Sequence, residues 1–223
     1  MPTTKRPPKK KASPRKPPAK VDLRKERKAL YSARANKPVL VDAGSTLALA
    51  IDGKGHPNRA VPKFEEAIAA LFQVAYGIKF TRRNARSLPD FAVSGLEAIW
   101  WVVGSKPMTA STSLNDWRWT AFLAVPDFIT AADLKAAVGV QNKKANPSPL
   151  LRSVKMRRIT EGKCVQVLHV GPYDAEGPTV DLIHDFADAK GLEVIGKHHE
   201  IYLNDPARVA PAKLRTILRF SVR

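Results

Sequence analysis

The chain predicts the same order of secondary-structure elements twice, strand–helix–strand–strand, and this repeat constrains its fold more than any other feature. The predicted strands are 46–52, 91–103 and 117–125 in the first half and 163–170, 199–203 and 214–222 in the second. The predicted helices, about Pro62 to Tyr76 and about 178–190, each carry one apolar stripe. One amphipathic helix for every three strands predicts sheets that are covered by helices on one face. We therefore predict an α+β fold of two pseudo-symmetric modules with antiparallel sheets.

Glycines and a capping pattern mark the predicted helix ends. Gly77 and Gly191 follow the two apolar stripes, and glycine readily adopts the left-handed conformation that ends a helix. Between the halves, Thr130 and Asp133 have the spacing of a capping box. They predict a third helix that runs to about Val138, and a following stretch rich in Asn, Pro and Ser predicts a linker.

The first 20 residues form a separate, basic segment. They contain six prolines and eight Lys or Arg, and no hydrophobic residue larger than Ala after Met1. Proline favours an extended backbone and like charges repel, so we expect a disordered tail at 1–20. The tail is either a solvating arm or a weak contact for nucleic acid or another polyanion. Residues 21–223 are expected to form the folded domain, with module one at about 39–145 and module two at about 151–223.

Charge and apolar content narrow the class of protein. The net charge is +18, and residues 1–30 hold twelve Lys or Arg against two acids, so much of the basic character belongs to the tail. The apolar content of 44% is ordinary for a globular protein and predicts a hydrophobic core. The sequence has a single cysteine, Cys164, which excludes an intrachain disulfide and fits a reducing cytosol. No apolar run reaches the roughly 18 residues of a membrane span, so we expect a cytoplasmic protein with no membrane partner.

One carboxylate in the second half stands on a predicted strand beside an aromatic ring. Alternation places Glu200, Tyr202 and Asn204 on one face. Ile201 and Leu203 take the other, which is the ordinary core face. In a pocket, an anion held against apolar surface can bind a cation or act as an acid or base. On a solvated face the same Glu has no such role, and the strand alone leaves both interpretations open.

The first half offers a counterpart to this carboxylate. By the order of elements, Glu97 occupies the place that Glu200 has in the second half, and Trp101 shares its face. If the helices cover one face of each sheet, the two acids take the free faces and meet across a cleft. Such a cleft suits a flat, apolar or cationic ligand. The aromatic residues predicted to wall it are Trp101, Trp117, Trp119 and Tyr202.

Other chemistries are poorly represented. His198 and His199 are adjacent, so on a strand they point to opposite faces and do not share a metal ion. His169, beside Gly-Pro-Tyr, is either a hydrogen-bonded structural residue or a ligand contact. The sequence contains neither Gly-x-Ser-x-Gly nor a glycine-rich phosphate loop. We therefore expect no metal and no cofactor.

Five segments of the chain resemble the GyrI-like small-molecule-binding domain family. They are Gly-Leu-Glu-Ala-Ile-Trp-Trp at 95–101, Trp-Arg-Trp at 117–119, Leu-His-Val-Gly-Pro-Tyr-Asp-Ala-Glu at 168–176, His-Glu-Ile-Tyr-Leu-Asn-Asp-Pro at 199–206 and Lys-Leu-Arg-Thr-Ile-Leu-Arg at 213–219. They occur in the order of the family, and the resemblance covers about 22–223. It implies a pair of strand–helix–strand–strand modules with a ligand cleft between them.

The resemblance also implies roles for individual residues. Glu200 matches the strand Glu that family members use against cationic or electrophilic ligands. Glu97 matches a second acidic position of the stand-alone members, and Tyr173 matches an aromatic pocket position. We expect Glu200, Glu97 and Tyr173 as candidate catalytic residues. The candidate ligand contacts are Trp101, Trp119, Tyr202, Trp117 and His169.

Three functions remain open for such a chain. The first is a small-molecule-binding protein for flat apolar or cationic ligands, in protection against xenobiotics or toxins. The second is a hydrolase, similar to stand-alone family members that open the strained ring of cyclopropane-bearing DNA-alkylating compounds. In it a Glu would activate water and a Tyr would bond the developing negative charge. The third is a protective protein that interacts with DNA gyrase. The sequence leaves the oligomeric state open, a monomer included.

Overall fold

The structure is a computed structural model that describes residues 19–56, 63–85, 88–104, 113 and 115–223. Most of the predicted basic tail and the predicted helix start at Pro62 lie outside the described residues. None of the described helices is both long enough and apolar enough to cross a membrane.

Six antiparallel strands close into a barrel with the order β1-β3-β2-β5-β6-β4. The strands are β1 (Val39–Lys54), β2 (Glu97–Val102), β3 (Trp117–Ala124), β4 (Lys155–Val170), β5 (His198–Tyr202) and β6 (Arg215–Ser221). The α-helices are α1 (Leu23–Glu26), α2 (Phe64–Ala85), α3 (Ala131–Gln141) and α4 (Gly177–Asp188). Each half of the chain supplies three neighbouring strands, and the pairs β1–β4 and β2–β5 join the halves.

The predicted order of elements is confirmed, since strand–helix–strand–strand occurs in both halves. The sheets differ from the prediction, because the strands form one closed barrel. β1 and β4 are each 16 residues long, about twice their predicted length. Their additional residues pair with each other, from Val39 opposite Gln166 to Ala50 opposite Lys155. This pairing is one of the two seams that close the barrel.

The helices cover the outer face of the barrel. Most of α2 and parts of α3 pack on outward-facing residues of the first three strands, among them Leu49 and Leu123. On the second half, Ile183 and Ala187 of α4 pack on Val165 and other residues of β4 and β6, as the apolar stripe predicts. Apolar residues of the opposite face, such as Phe122, fill the barrel interior in separate clusters.

α2 continues eight residues beyond Gly77, where the sequence predicts its end. The glycine serves helix packing: a Cβ on Gly77 would lie 2.8 Å from Gln141 Nε2 and 3.2 Å from Ala137 Cβ of α3. Glycine at this position lets the two helices approach closely. The capping box at the start of α3 is confirmed, with Thr130 N–H donating to Asp133 Oδ2 at 2.9 Å.

Candidate functional site

A large groove opens on the outer face between α2 and α4, and we call it the outer groove. Phe64 and Ile68 of α2 line one side, and Val180 and Asp181 of α4 line the other. Residues of β2, β3 and β5 form its floor. Its volume of about 2350 Å³ exceeds the roughly 300–1,000 Å³ of an enclosed ligand pocket, because the groove is open to solvent.

Glu200 lies on the floor of the outer groove. It stands opposite Ala98 on β2 and Leu218 on β6, which places its side chain on the face that carries the helices. His198 precedes it by two residues and shares that face. His198 Nε2 lies 3.1 Å from Glu200 Oε1 and 3.3 Å from Glu176 Oε2. We call these three side chains, all largely buried, the Glu176–His198–Glu200 cluster.

Glu176 is the residue that directly precedes α4, and its side chain extends from there to the cluster. Burial and the neighbouring carboxylate of Glu200 raise the pKa of Glu176 to about 7. Burial alone would lower the pKa of His198, but the carboxylates of Glu176 and Glu200 raise it to about 9. The imidazole of His198 is therefore protonated at neutral pH and pairs with the two carboxylates.

Two tyrosines lie beside the cluster and line the groove. Their rings meet edge to face, with centroids 5.8 Å apart between Tyr173 and Tyr202. Burial and the charge of Glu200 raise the pKa of Tyr173 to about 12 and that of Tyr202 well above its usual value. Both phenols therefore keep their protons. Tyr173 can donate a hydrogen bond to a ligand, and Tyr202, whose hydroxyl is hydrogen-bonded to Glu200, can do so once that bond is broken. Tyr202 also accepts a weak hydrogen bond of 3.4 Å from Trp100 Nε1.

The aromatic walls differ in part from the prediction. Trp101 and Trp117, which are predicted ligand contacts, line the outer groove, and so does Trp100, for which no such contact is predicted from the sequence. Trp119 is fully buried against Phe64 of α2, with ring centroids 5.0 Å apart, and does not line the groove. The ligand-contact prediction for Trp119 is therefore wrong, because α2 covers this part of the sheet.

His169 is also absent from the lining of the groove. It is buried, with Nδ1 2.9 Å from Thr179 Oγ1 and Nε2 3.1 Å from the carbonyl oxygen of Pro172. These contacts fix the turn that carries Tyr173 and join it to α4. The structure thus supports a structural role for His169 and not the predicted ligand contact.

Glu97 lies on the opposite face of the sheet from Glu200. Its partner on β5 is Ile201, whereas Glu200 is the partner of Ala98, so the two carboxylates point to opposite sides of the barrel wall. The prediction that both acids face one cleft is wrong. The residue of β5 that does meet Glu97 is His199, with Nε2 3.2 Å from Glu97 Oε2.

Glu97 belongs to a buried set of charged and polar side chains inside the barrel, which we call the interior network. Tyr31 donates to Glu97 Oε1 at 3.1 Å. His199 Nδ1 lies 2.8 Å from Glu161 Oε1, and Arg219 Nη1 donates to Glu161 Oε2 at 3.3 Å. These contacts hold β2, β4, β5 and β6 together. They explain why a Glu is buried on β2 without access to the outer groove.

Sequence reasoning missed two members of the cluster on the groove floor, His198 and Glu176. The signal for His198 was its spacing of two residues from Glu200, which puts both on one face of β5. Glu176 stands three residues after Tyr173 in the Gly-Pro-Tyr segment, but its approach to β5 depends on how α4 packs. One oxygen or nitrogen from each of the three residues lies within 4.8 Å of the others, which is close enough to hold one cation.

The chain is similar to known proteins over nearly its whole length. A family model of the GyrI-like small molecule binding domain matches residues 122–223. The chain is 36% identical to an uncharacterized conserved protein from Listeria innocua, with 92% of this chain and 100% of that chain covered and a TM-score of 0.81. A hydrolase from Listeria innocua is 34% identical, with the same coverage and a TM-score of 0.79.

A more distant likeness concerns the fold alone. The C-terminal domain of EcmrR is 12% identical, with 84% of this chain and 97% of that chain covered and a TM-score of 0.50. No curated protein matches this chain. The full-length similarity to the Listeria proteins and the matching family model together identify the chain as a member of the GyrI-like small-molecule-binding domain family.

Proposed function

We propose that the protein is a hydrolase that adds water to an electrophilic carbon of a flat small molecule bound in the outer groove. The observation that carries this proposal is the Glu176–His198–Glu200 cluster at the floor of an aromatic groove. It combines a carboxylate, a proton reservoir and two neighbouring phenols in one place. The 34% identity to a hydrolase from Listeria innocua over 92% of this chain supports it. The groove lies between helices of the two halves, which we take as pseudo-symmetric modules with the ligand cleft between them.

The substrate class follows from the groove and from the family. Trp101 and Trp117, which are both partly exposed, offer stacking surface for a planar ring system. A cyclopropane ring conjugated to a carbonyl group is an electrophile that needs no metal and no cofactor to react with water. We therefore propose a cyclopropane-bearing alkylating compound as substrate, which would give the protein a protective function.

In the proposed reaction Glu200 accepts a proton from water as the oxygen attacks the methylene carbon of the ring. A carbon–oxygen bond forms and one carbon–carbon bond of the cyclopropane breaks. The electron pair of that bond moves through the conjugated system to the carbonyl oxygen. Tyr173 or Tyr202 donates a hydrogen bond to this oxygen as its negative charge develops, and a proton from the cluster completes the product.

Mass spectrometry tests the proposal directly. The purified protein is mixed with a cyclopropane-bearing alkylator, and the product with one added water is measured over time. Glu200→Gln keeps the shape of the side chain and removes the base, so we expect turnover to fall about 10²- to 10⁴-fold. Glu193→Gln is a matched control. Glu193 is exposed, its Oε2 lies 2.8 Å from Arg223 Nη2, and it does not line the groove.

The proposal is wrong if the parent protein produces no water adduct beyond the uncatalysed rate. It is equally wrong if Glu200→Gln turns over the compound as fast as Glu193→Gln. Tight binding without an adduct would instead favour a sequestering protein that uses the same groove. Tryptophan fluorescence reports such binding independently, because three of the four tryptophans line the groove.

A further inference from the structure

We propose that Glu176, His198 and Glu200 form a binding site for a divalent transition-metal ion. This inference goes beyond the proposed hydrolase, whose reaction uses no metal: the metal-bound cluster is a second state, in which the ion replaces the proton and Glu200 is a ligand and not a base. The donor set consists of one imidazole nitrogen and two carboxylate groups, a set that zinc, manganese, cobalt and ferrous ions accept in proteins. An imidazole ligand makes the site unsuited to magnesium or calcium, which prefer oxygen ligands alone.

The distances between the donor atoms agree with metal coordination. His198 Nε2 lies 3.1 Å from Glu200 Oε1 and 3.3 Å from Glu176 Oε2. With metal–ligand bonds of about 2.0–2.2 Å, neighbouring ligand atoms around a tetrahedral or octahedral ion lie roughly 3.0–3.5 Å apart. Both distances from His198 Nε2 lie in this range, and all three donor atoms lie within 4.8 Å of one another.

One buried polar atom in the cluster lacks a hydrogen-bond partner. Within the described part of the chain, Glu176 Oε1 has no contact of hydrogen-bond geometry, whereas His198 Nε2 lies within ion-pair distance of both carboxylates. Glu176 is 7% exposed, so solvent does not compensate for the missing partner. A buried polar atom without a partner destabilises a fold, because nothing replaces the water it has lost. A bound ion would supply the partner that Glu176 Oε1 lacks.

Regular structure and packing hold the ligands in place. His198 and Glu200 lie two residues apart on the outer face of β5, which is a strand of the barrel wall, and Glu176 directly precedes α4. The imidazole of His198 packs edge to face on Phe220, with centroids 5.2 Å apart. Because the cluster lines the outer groove, the ion would keep open positions on the groove side for water or for a ligand atom.

Calorimetry of chelator-treated full-length protein with Zn²⁺ or Co²⁺ alone tests the site without any substrate. We expect one equivalent to bind, and Co²⁺ to give the visible absorption of a site with nitrogen and oxygen ligands. Glu176→Gln and His198→Gln are each expected to weaken binding at least about tenfold. His184→Gln is the matched control, because His184 lines the same groove outside the cluster and should leave the affinity unchanged.

Glu200→Gln is a third variant that preserves side-chain shape, and thermal unfolding verifies that each variant is folded. The proposal is overturned if neither ion binds stoichiometrically, or if folded Glu176→Gln and Glu200→Gln bind it like the parent. Turnover of the alkylator by chelator-treated protein is measured separately. Failure of the metal site therefore leaves the hydrolase proposal intact, and the reverse also holds.

Discussion

The phenol of Tyr31 donates a hydrogen bond of 3.1 Å to Glu97 Oε1, and this contact joins the N-terminal segment to the interior of the barrel. Tyr31 belongs to a short 3-10 helix, Lys28–Tyr31, that precedes the first strand. Arg219 Nη2 donates to the carbonyl oxygen of Leu30 in the same helix at 2.6 Å. The segment before β1 is thus bonded to β2 and β6 and contributes to the stability of the barrel.

Tyr31→Phe tests this contact. The change removes one donor from a buried carboxylate and keeps the ring, so we expect the free energy of unfolding to fall by about 1–3 kcal/mol. Urea unfolding measures the difference. Tyr76→Phe is the control: Tyr76 is exposed on α2, and its loss of a hydroxyl should change stability by less than about 0.5 kcal/mol. Equal effects of the two changes would contradict the role of Tyr31.

The interior network predicts loss of stability in acid. Burial alone would raise the pKa of Glu161, but the charges and hydrogen bonds of His199 and Arg219 lower it to about 2. A carboxyl whose folded-state pKa is lowered stabilises the fold above its ordinary pKa of 4.5. That contribution is lost as the pH falls from about 4.5 through about 2. Glu161→Gln should flatten this part of the stability profile, whereas Glu193→Gln at the surface should not.

Two glycines lead to opposite predictions for substitution by alanine. A Cβ on Gly53 would lie 2.0 Å from Trp119 Cζ2, so Gly53→Ala must displace a buried ring. Overpacking of this kind typically destabilises a protein by about 1–3 kcal/mol. Gly139 lies within α3, and a methyl group added to it would meet no atom within 4 Å, so Gly139→Ala should stabilise the helix by about 0.5–1 kcal/mol. Thermal unfolding of the pair measures both signs.

Lys197 is predicted to limit the binding of cationic ligands in the outer groove. Its Nζ lies 3.5 Å from the ring centroid of Trp101, so the ammonium group covers a stacking surface of the groove. Lys197→Gln removes the charge and should raise the affinity for a flat cationic dye several-fold, with a smaller effect on a neutral dye of the same shape. Quenching of tryptophan fluorescence measures both. Equal changes for the two dyes would show that Lys197 acts by bulk alone.

Periodicity and capping signals predicted most of the secondary structure. The apolar stripe of α4 includes the residues that pack on β4 and β6, and Thr130 and Asp133 form the predicted capping box. The end of α2 could not be read from Gly77, because its role depends on contact with α3. Closure of the barrel depends on pairing between β1 and β4, whose partners are more than 100 positions apart in the chain.

The candidate site shows a different limit. Alternation states which residues of one strand share a face, but not which face is covered by helices. Matching Glu97 to Glu200 by the order of elements put Glu97 on the groove face of β2, but the residue of β2 that pairs with Glu200 is Ala98. A shift of one residue exchanges the two faces of a strand, so Trp100 was predicted to lie on the face opposite to the groove. The outer groove is lined by Glu200, Tyr202, Tyr173, Trp101 and Trp117, and their roles toward a ligand stay predictions.

β5 is only five residues long, yet it carries side chains of the interior network and of the groove cluster in alternation. His199 and Ile201 serve the inside, while His198, Glu200 and Tyr202 serve the outside. One strand thus carries both the charges that hold the barrel and the side chains that face a ligand. Substitutions at His198 or Glu200 leave the inward-facing charges in place. A scaffold of this kind can change its ligand chemistry by point mutation while the interior network is kept.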